Sequence, residues 1–303
     1  MKRSNVYKDF RLNKYLYLLM LPVLLYYLVF HYAPMYGALI AFKNFTPIKG
    51  VWDSEWVGFT HFISFFNSYY FWMVLKNTII ISLYSICFEF PMPIMLALLI
   101  NEVRNKYFKN LVQTITYMPY FISLVVICGM IKDFTNANGF LNTAYTAIAG
   151  GEGQALLQRP ELFRSIYIVS DIWQRMGWES IIYLAALMSI DQEQYEAAKI
   201  DGASRIKQIW HVTLPGLMPT ITILLILRIG NILNVGFEKI ILLYSPITYD
   251  VADVISSFVY RRGLLEFNWS YSTAVGLFNS VINLMLLVLA NYFSRRRSGN
   301  SLW

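Results

Sequence analysis

The sequence predicts an all-α membrane protein with six transmembrane helices and both termini on the cytoplasmic side. Three observations carry that prediction. Of 303 residues, 57% are hydrophobic and only 14% charged, with a mean hydropathy of +0.46. A soluble domain has roughly 45–50% apolar and about 25% charged residues, so the bilayer is the expected solvent. Six runs approach the ~20 apolar residues that cross a bilayer, and lysine and arginine are distributed unevenly between the connections.

The runs lie near Tyr15 to Ile40, Thr78 to Ile100, Leu111 to Ile131, Ser165 to Ile190, Leu214 to Val235 and Thr273 to Tyr292. The first follows a basic leader, as a signal peptide would. It continues through Pro22, His31 and Pro34 without a small-residue cleavage pattern, so it is expected to be retained. Fourteen basic residues fall on one side: Lys2, Arg3, Lys8, Arg11 and Lys14 in the leader, Arg104, Lys106 and Lys109, then Lys199, Arg205 and Lys207, and finally Arg295, Arg296 and Arg297. Nine are spread over three longer connections on the other side, including Lys132, Lys239, Arg261 and Arg262. The positive-inside rule makes the first side cytoplasmic. The net charge of +7 is thereby a topology signal and gives no reason to expect nucleic acid. The long outer connections carry Trp52, Trp56, Tyr69, Tyr70, Trp72, Tyr244, Tyr249 and Trp269, either an aromatic belt at the headgroups or a docking surface for an extracytoplasmic protein. With no internal repeat in view, residues 1–303 are expected to form one integral membrane domain.

Cys87 and Cys128 sit in apolar runs and read as small core residues rather than as a disulfide or metal site. His31, His61 and His211 fall in different regions on both sides of the membrane, so no metal or acid–base constellation follows. No Gly-Lys dipeptide occurs, so the chain contains no phosphate-binding loop of the GxxxxGK[ST] kind. Any ATP-driven work needs another polypeptide.

The most specific stretch is cytoplasmic residues 191–215, between the fourth and fifth runs. It reads as a short helix carrying Ala197 and Ala198, a break at Gly202, a second amphipathic stretch, and Pro215 opening the next span in a first-turn position where proline is tolerated. Small residues allow close approach of a partner, and Gly202 permits positive φ. Glu196-Ala197-Ala198, three residues, Gly202, nine residues, and Val212-Thr213-Leu214-Pro215 resembles the EAA motif of ABC importer permeases of the type I fold, with Val212 where isoleucine is commoner. The stretches Tyr32 to Phe45, Val57-Gly58-Phe59, Lys76-Asn77-Thr78, Ala97 to Arg104, Tyr117 to Ser123, Ile190-Asp191, Asn231 to Glu238, Asp253 to Ile255 and Tyr260 to Leu264 are similar to the carbohydrate branch, most of all to its oligosaccharide and polysaccharide permeases.

That resemblance implies an alternating-access permease in the bacterial cytoplasmic membrane. Glu196, Ala197, Ala198, Gly202, Ala203, Leu214 and Pro215 would couple it to cytoplasmic ATPase subunits. The implied partners are a second, homologous permease chain in a heterodimer, two ATPase subunits holding ATP and Mg, an extracytoplasmic solute-binding protein and membrane lipid. The chain itself would hold no cofactor or metal and have no catalytic residue. The alternatives are import of another small solute or a secondary transporter, but two related halves with interrupted helices are missing.

An ionisable group at mid-bilayer costs about 2.5–3.5 kcal/mol on insertion scales and usually faces a partner or a water-filled path. Glu89, Arg175, Glu179 and Arg228 qualify. Arg175 and Glu179 are four apart and either neutralise each other or face the path; Glu89 and Arg228 either pair across helices or face it. With Asn231 and Asn234 these four make up the candidate translocation path. Trp173, Trp178 and Tyr183 could stack on sugar rings, although tryptophan and tyrosine are ordinary interface residues and asparagine often joins helices.

Overall fold

The computed structural model describes residues 12–150, 155–299 and 301–302. Lys2, Arg3, Lys8 and Arg11, part of the orientation signal, lie outside the described residues. The first long helix, α1 (Lys14–Phe42), buries none of its residues before Ala41. Its last turns pack on the final helix. The chain then makes a two-stranded hairpin, β1 (Lys43–Asn44) against β2 (Glu55–Trp56), with Lys43 opposite Trp56. A short helix, α2 (Thr60–Phe66), leads to α3 (Tyr69–Glu102).

The third apolar run is not one straight span. α4 (Lys106–Phe121) meets the following helical segment Leu124–Ile148 at 97°, which contains α5 (Leu124–Thr135) and α6 (Phe140–Ala149). Proline cannot donate to the helix ladder. Pro119 tightens the end of α4 into a 3₁₀ turn, and Ile122 and Ser123 are extended. The break falls inside the apolar run, so hydropathy alone passes over it.

α7 (Pro160–Met188) is 29 residues long, about 43 Å at 1.5 Å per residue. Its buried side includes Phe163, Tyr167, Asp171, Gln174, Gly177 and Ser180, spaced three or four apart as one helix face requires. A Cβ on Gly177 would lie 2.0 Å from the Thr116 carbonyl oxygen, so α4 and α7 touch backbone to backbone there. Next come α8 (Gln192–Ile200), α9 (Arg205–Gly230), α10 (Phe237–Leu243), α11 (Ile255–Tyr260) and α12 (Trp269–Ser298).

Among the described residues, four helices are long and apolar enough to cross a membrane: α1, α3, α9 and α12 up to Arg296. The bent pair brings the number to five if it counts as one span. α7 has the length, but Asp171, Arg175 and Glu179 interrupt its apolar character.

Two corrections concern helix ends. α9 does not begin at Pro215: it runs from Arg205, and its ladder widens at Ile209–Thr213, where Leu214 N–H bonds the Ile209 carbonyl. Such a wide turn opens the ladder, here just ahead of a residue that cannot donate. α9 also stops at Gly230, leaving Asn231 and Asn234 in an irregular turn beyond it. Of the cysteines, Cys128 is buried, as a core residue should be, whereas Cys87 is exposed on the surface of α3.

Three apolar clusters hold the bundle. One joins Ile81, Ile127, Phe163 and Ile240, another Ala97, Tyr183, Leu187 and Leu217, and the third Phe65, Val74, Phe258 and Val275. Two of the sequence stretches singled out above meet at one buried polar joint. Asn77 Nδ2 donates to the Asp250 and Asp253 carbonyls at 3.0 and 3.1 Å, and Thr78 Oγ1 accepts from Ile255 N at 3.0 Å. Arg164 Nη2 donates to Asn77 Oδ1 at 2.8 Å.

Candidate functional site

Two places stand out: a charged cavity among α3, α7, α9 and α10, and the exposed knob around α8.

The cavity has a volume of about 320 Å³, and Glu89, Arg175, Arg228, Asn231 and Asn234 line it. Five of the six residues proposed for the path are thus brought together. The sixth, Glu179, borders a small void behind it, shared with Glu89, Arg175 and Arg228. Local structure explains how α3 supplies its part. Pro91 cannot donate, and the preceding turn, Ser85–Glu89, is wide, with Phe90 N–H on the Ser85 carbonyl. Such turns occur often at functional sites, and this one carries both Ser85 and Glu89 on the cavity wall. Arg228 Nη2 donates to Glu89 Oε2 and to Ser85 Oγ, and Ser85 Oγ donates to Glu89 Oε2. Glu89 and Arg228 therefore pair across helices and line the cavity as well.

Arg175 is the correction. It does not pair with Glu179; its Nε lies 3.3 Å from Asp171 Oδ2, one turn in the other direction. Asp171 also receives Lys239 Nζ at 3.0 Å, which in turn donates to the Tyr167 carbonyl at 3.1 Å. Lys239 belongs to α10 and is buried, so it is not the loop charge that the outer-side tally implied. Asp171 and Lys239 are residues that sequence reasoning missed. Asp171 carried a signal, a carboxylate four residues before Arg175 in an apolar run; Lys239 carried none.

The irregular turn after α9 forms another wall. Backbone away from helices at membrane depth must have its polar groups satisfied within the protein. Ser82 Oγ donates to the Ile232 carbonyl, Asn283 Oδ1 accepts from Leu233 N at 3.1 Å, and Asn279 Nδ2 donates to Asn234 Oδ1 at 2.7 Å. Of the aromatic candidates, none lines the cavity. Tyr183 is buried in a core cluster, Trp178 stacks on Tyr120 with centroids 4.8 Å apart, and Trp173 is exposed.

The knob is built as its residues dictate. Asp191 caps α8, its Oδ1 accepting from Glu193 N at 3.0 Å, the usual use of a side-chain acceptor at a helix start. At the other end Gly202 has φ +74°. Gly202 N–H bonds the Lys199 carbonyl at 3.0 Å, and Ala203 N–H bonds that of Ala198 at 2.9 Å. This pair of bonds closes a Schellman turn, which needs a left-handed residue where Gly202 stands. Ala198, Ala203 and Leu214 are half-buried, while Glu196, Ala197, Gly202 and Pro215 are exposed. Tyr195 Oη donates to Thr213 Oγ1 at 3.0 Å, and Arg205 Nη1 donates to Glu102 Oε2 at 2.6 Å, which fastens the knob to α9 and α3. Ile200, Ile206 and Trp210 are exposed on it, apolar surface that the spacing of the motif alone does not indicate.

A bundle of long apolar helices with a fastened knob on one face and an ion-paired cavity inside fits a transport permease. Residues 89–299 match the family of binding-protein-dependent transport system inner membrane components, and the chain belongs to that family: it is a permease of the ABC importer class. It is 44% identical over 285 residues to the LplB protein of Bacillus subtilis strain 168, covering 94% of this chain and 89% of that one. It is also 44% identical over 284 residues to YteP of the same organism, a polygalacturonan/rhamnogalacturonan transport system permease protein, covering 94% and 88%. Among solved structures it is similar to a chain of a bacterial ABC transporter that imports the acidic polysaccharide alginate, with TM-score 0.89, 45% identity and coverage of 97% and 100%. A second is that of a bacterial alginate ABC transporter in complex with an alginate pentasaccharide-bound periplasmic protein, with TM-score 0.90, 44% identity and coverage of 99% and 100%.

Proposed function

We propose that this chain is one of two permease subunits of an ATP-driven importer of oligosaccharides or polysaccharide fragments in the bacterial cytoplasmic membrane. The observation that carries the reading is the knob: a capped helix ended by a glycine turn, fastened to α3 and α9, with exposed apolar side chains that a protein partner would cover. Glu196, Ala197, Ala198, Gly202, Ala203, Leu214 and Pro215 form or support that surface, and a cytoplasmic ATPase subunit is its partner. Support for the saccharide cargo comes from YteP, whose name specifies polygalacturonan and rhamnogalacturonan, and from the alginate importers. The complex of one of these with its periplasmic protein supports a solute-binding partner on the outer face.

In this reading the broken α4–α5 pair and α7 complete six spans, both termini are cytoplasmic, and residues 1–303 act as one domain. ATP and Mg²⁺ belong to the ATPase subunits, and this chain contributes movement rather than chemistry. Closure of the ATPases pushes the knob; α3 and α9 carry the displacement to the cavity, where Glu89 and Arg228 face each other across those same two helices. The cavity then opens alternately to either side.

The test is purification of the tagged chain from membranes in mild detergent, followed by identification of associated proteins and an ATPase assay. A second six-span chain and an ATPase with a phosphate-binding loop are the expected companions. Recovery of this chain alone, under conditions that keep other membrane complexes together, would overturn the reading.

A further inference from the structure

We propose that the cavity binds a carboxylate-bearing sugar and that the guanidinium of Arg175 receives the carboxylate. The inference rests on the importer reading and deepens it, because it specifies the chemical class of the cargo.

The two carboxylates at the back of the cavity are recessed and occupied. Glu89 is 8% exposed and engaged by Arg228 and Ser85; Asp171 is 11% exposed and shared by two cations. Of those two, Lys239 is 2% exposed, with its ammonium already used on Asp171 and the Tyr167 carbonyl. Arg175 differs from all of these. Its side chain is 46% exposed, and among the described residues its guanidinium makes no hydrogen bond beside the 3.3 Å ion contact with Asp171. Arg175 lines the cavity, and a guanidinium fork not engaged in hydrogen bonds matches a carboxylate in two parallel ones. Over the whole lining Glu89, Asp171 and Glu238 balance Arg175, Arg228 and Lys239, and Arg175 is the most exposed of the three cations.

Two further carboxylates face the region. Glu179 borders the void behind Arg175 and not the cavity itself. Glu238 is exposed and lines the cavity, so an anionic sugar has to pass it. Asn231 and Asn234 stand on the wall beyond α9, where their amides suit sugar hydroxyls. A volume of about 320 Å³ lies at the lower end of the ~300–1,000 Å³ usual for ligand pockets, room for part of a chain at a time.

The test uses the complete importer, with partner permease, ATPases and binding protein, in vesicles. The probes are a galacturonate pentamer and its methyl ester, which differ in charge and not in chain length. The readout is the ratio of acid to ester uptake, compared between unaltered and variant complexes, so that the binding protein's own preference cancels. In Arg175→Gln the ratio is expected to fall roughly tenfold to a hundredfold, the loss of a charge-assisted pair, and Arg175→Lys to fall less. Glu238→Gln is expected to raise the ratio. An unchanged ratio in Arg175→Gln overturns the proposal; if that variant imports neither probe, an unchanged ratio in Glu238→Gln overturns it. Import of the ester and not the acid by the unaltered complex overturns the carboxylate site and leaves the importer reading standing. A complex that hydrolyses ATP but imports no oligosaccharide of any charge overturns the importer reading itself.

Discussion

Gly202 offers a test that separates two physical reasons for a glycine at the end of the coupling helix. One is conformational: its φ of +74° is a left-handed geometry that costs an ordinary L-residue about 1–2 kcal/mol. The other is clearance, the need for a partner to come close. Within this chain a Cβ at Gly202 meets nothing within 4 Å, so no internal clash adds to the conformational cost. If the turn is what matters, Gly202→Ala lowers the population of the closed turn by roughly a factor of 5–30, and Gly202→Val lowers it further. Gly202→Asn and Gly202→Asp lose less, since short polar side chains tolerate that geometry. If clearance is what matters, the order reverses, with alanine mild and asparagine and aspartate severe. The assay is ATP-dependent uptake in vesicles, with recovery of the ATPase on the tagged chain as a second reading. An alanine variant that outperforms the asparagine variant in both would refute the conformational account.

Three further predictions follow from contacts inside the bundle. Glu89→Gln leaves Arg228 facing a neutral partner, and because Arg228 is 30% exposed the loss should be at the lower end for a broken buried pair, about 3 kcal/mol. Combining it with Arg228→Gln should recover part of that loss in detergent melting, and strict additivity would show that the two do not interact. Gly177→Ala places a methyl 2.0 Å from the Thr116 carbonyl oxygen, so the α4–α7 contact has to open. The expected cost is about 1–3 kcal/mol, and an unchanged melting temperature would refute the close approach. Asn77→Ala removes donors from the Asp250 and Asp253 carbonyls and an acceptor from Arg164. Unsatisfied buried groups cost about 1–3 kcal/mol each, so faster hydrogen exchange is expected through residues 250–255, with the α8 knob unaffected.

The knob was the part most fully legible in the sequence, because its determinants are local: small residues at Ala197 and Ala198, a glycine where the helix must stop, and a proline beyond. The charges Glu89 and Arg228 were legible as a problem, since a membrane leaves few solutions for a buried ion, and the bundle combines the two left open: they pair and they line the cavity. Arg175 shows where local reasoning fails. Asp171 and Glu179 both lie four residues away from it, and helix geometry alone does not choose between them. Nor does local sequence reveal that Asp171 is shared with Lys239, 68 residues further along the chain. The bend at Ile122 and Ser123 was hidden for a different reason: the last turns of the amphipathic α4 and the start of α5 form one apolar run, so composition is continuous where the backbone is not.

The wide turns at Ser85–Glu89 and Ile209–Thr213 each hold one residue more than a regular helix would need. That surplus is a built-in allowance for length. Removing Ile86, for example, would return α3 to regular winding, and because five residues of a wide turn sweep about the angle of four in a regular helix, everything beyond would keep its facing. Only the side chains within the turn, Ser85 and Glu89 among them, would be re-aimed. Single-residue deletions at these turns should therefore yield chains that still assemble, whereas a deletion in a regular stretch of α3 would turn everything beyond it by about 100° and present the wrong side to its neighbours.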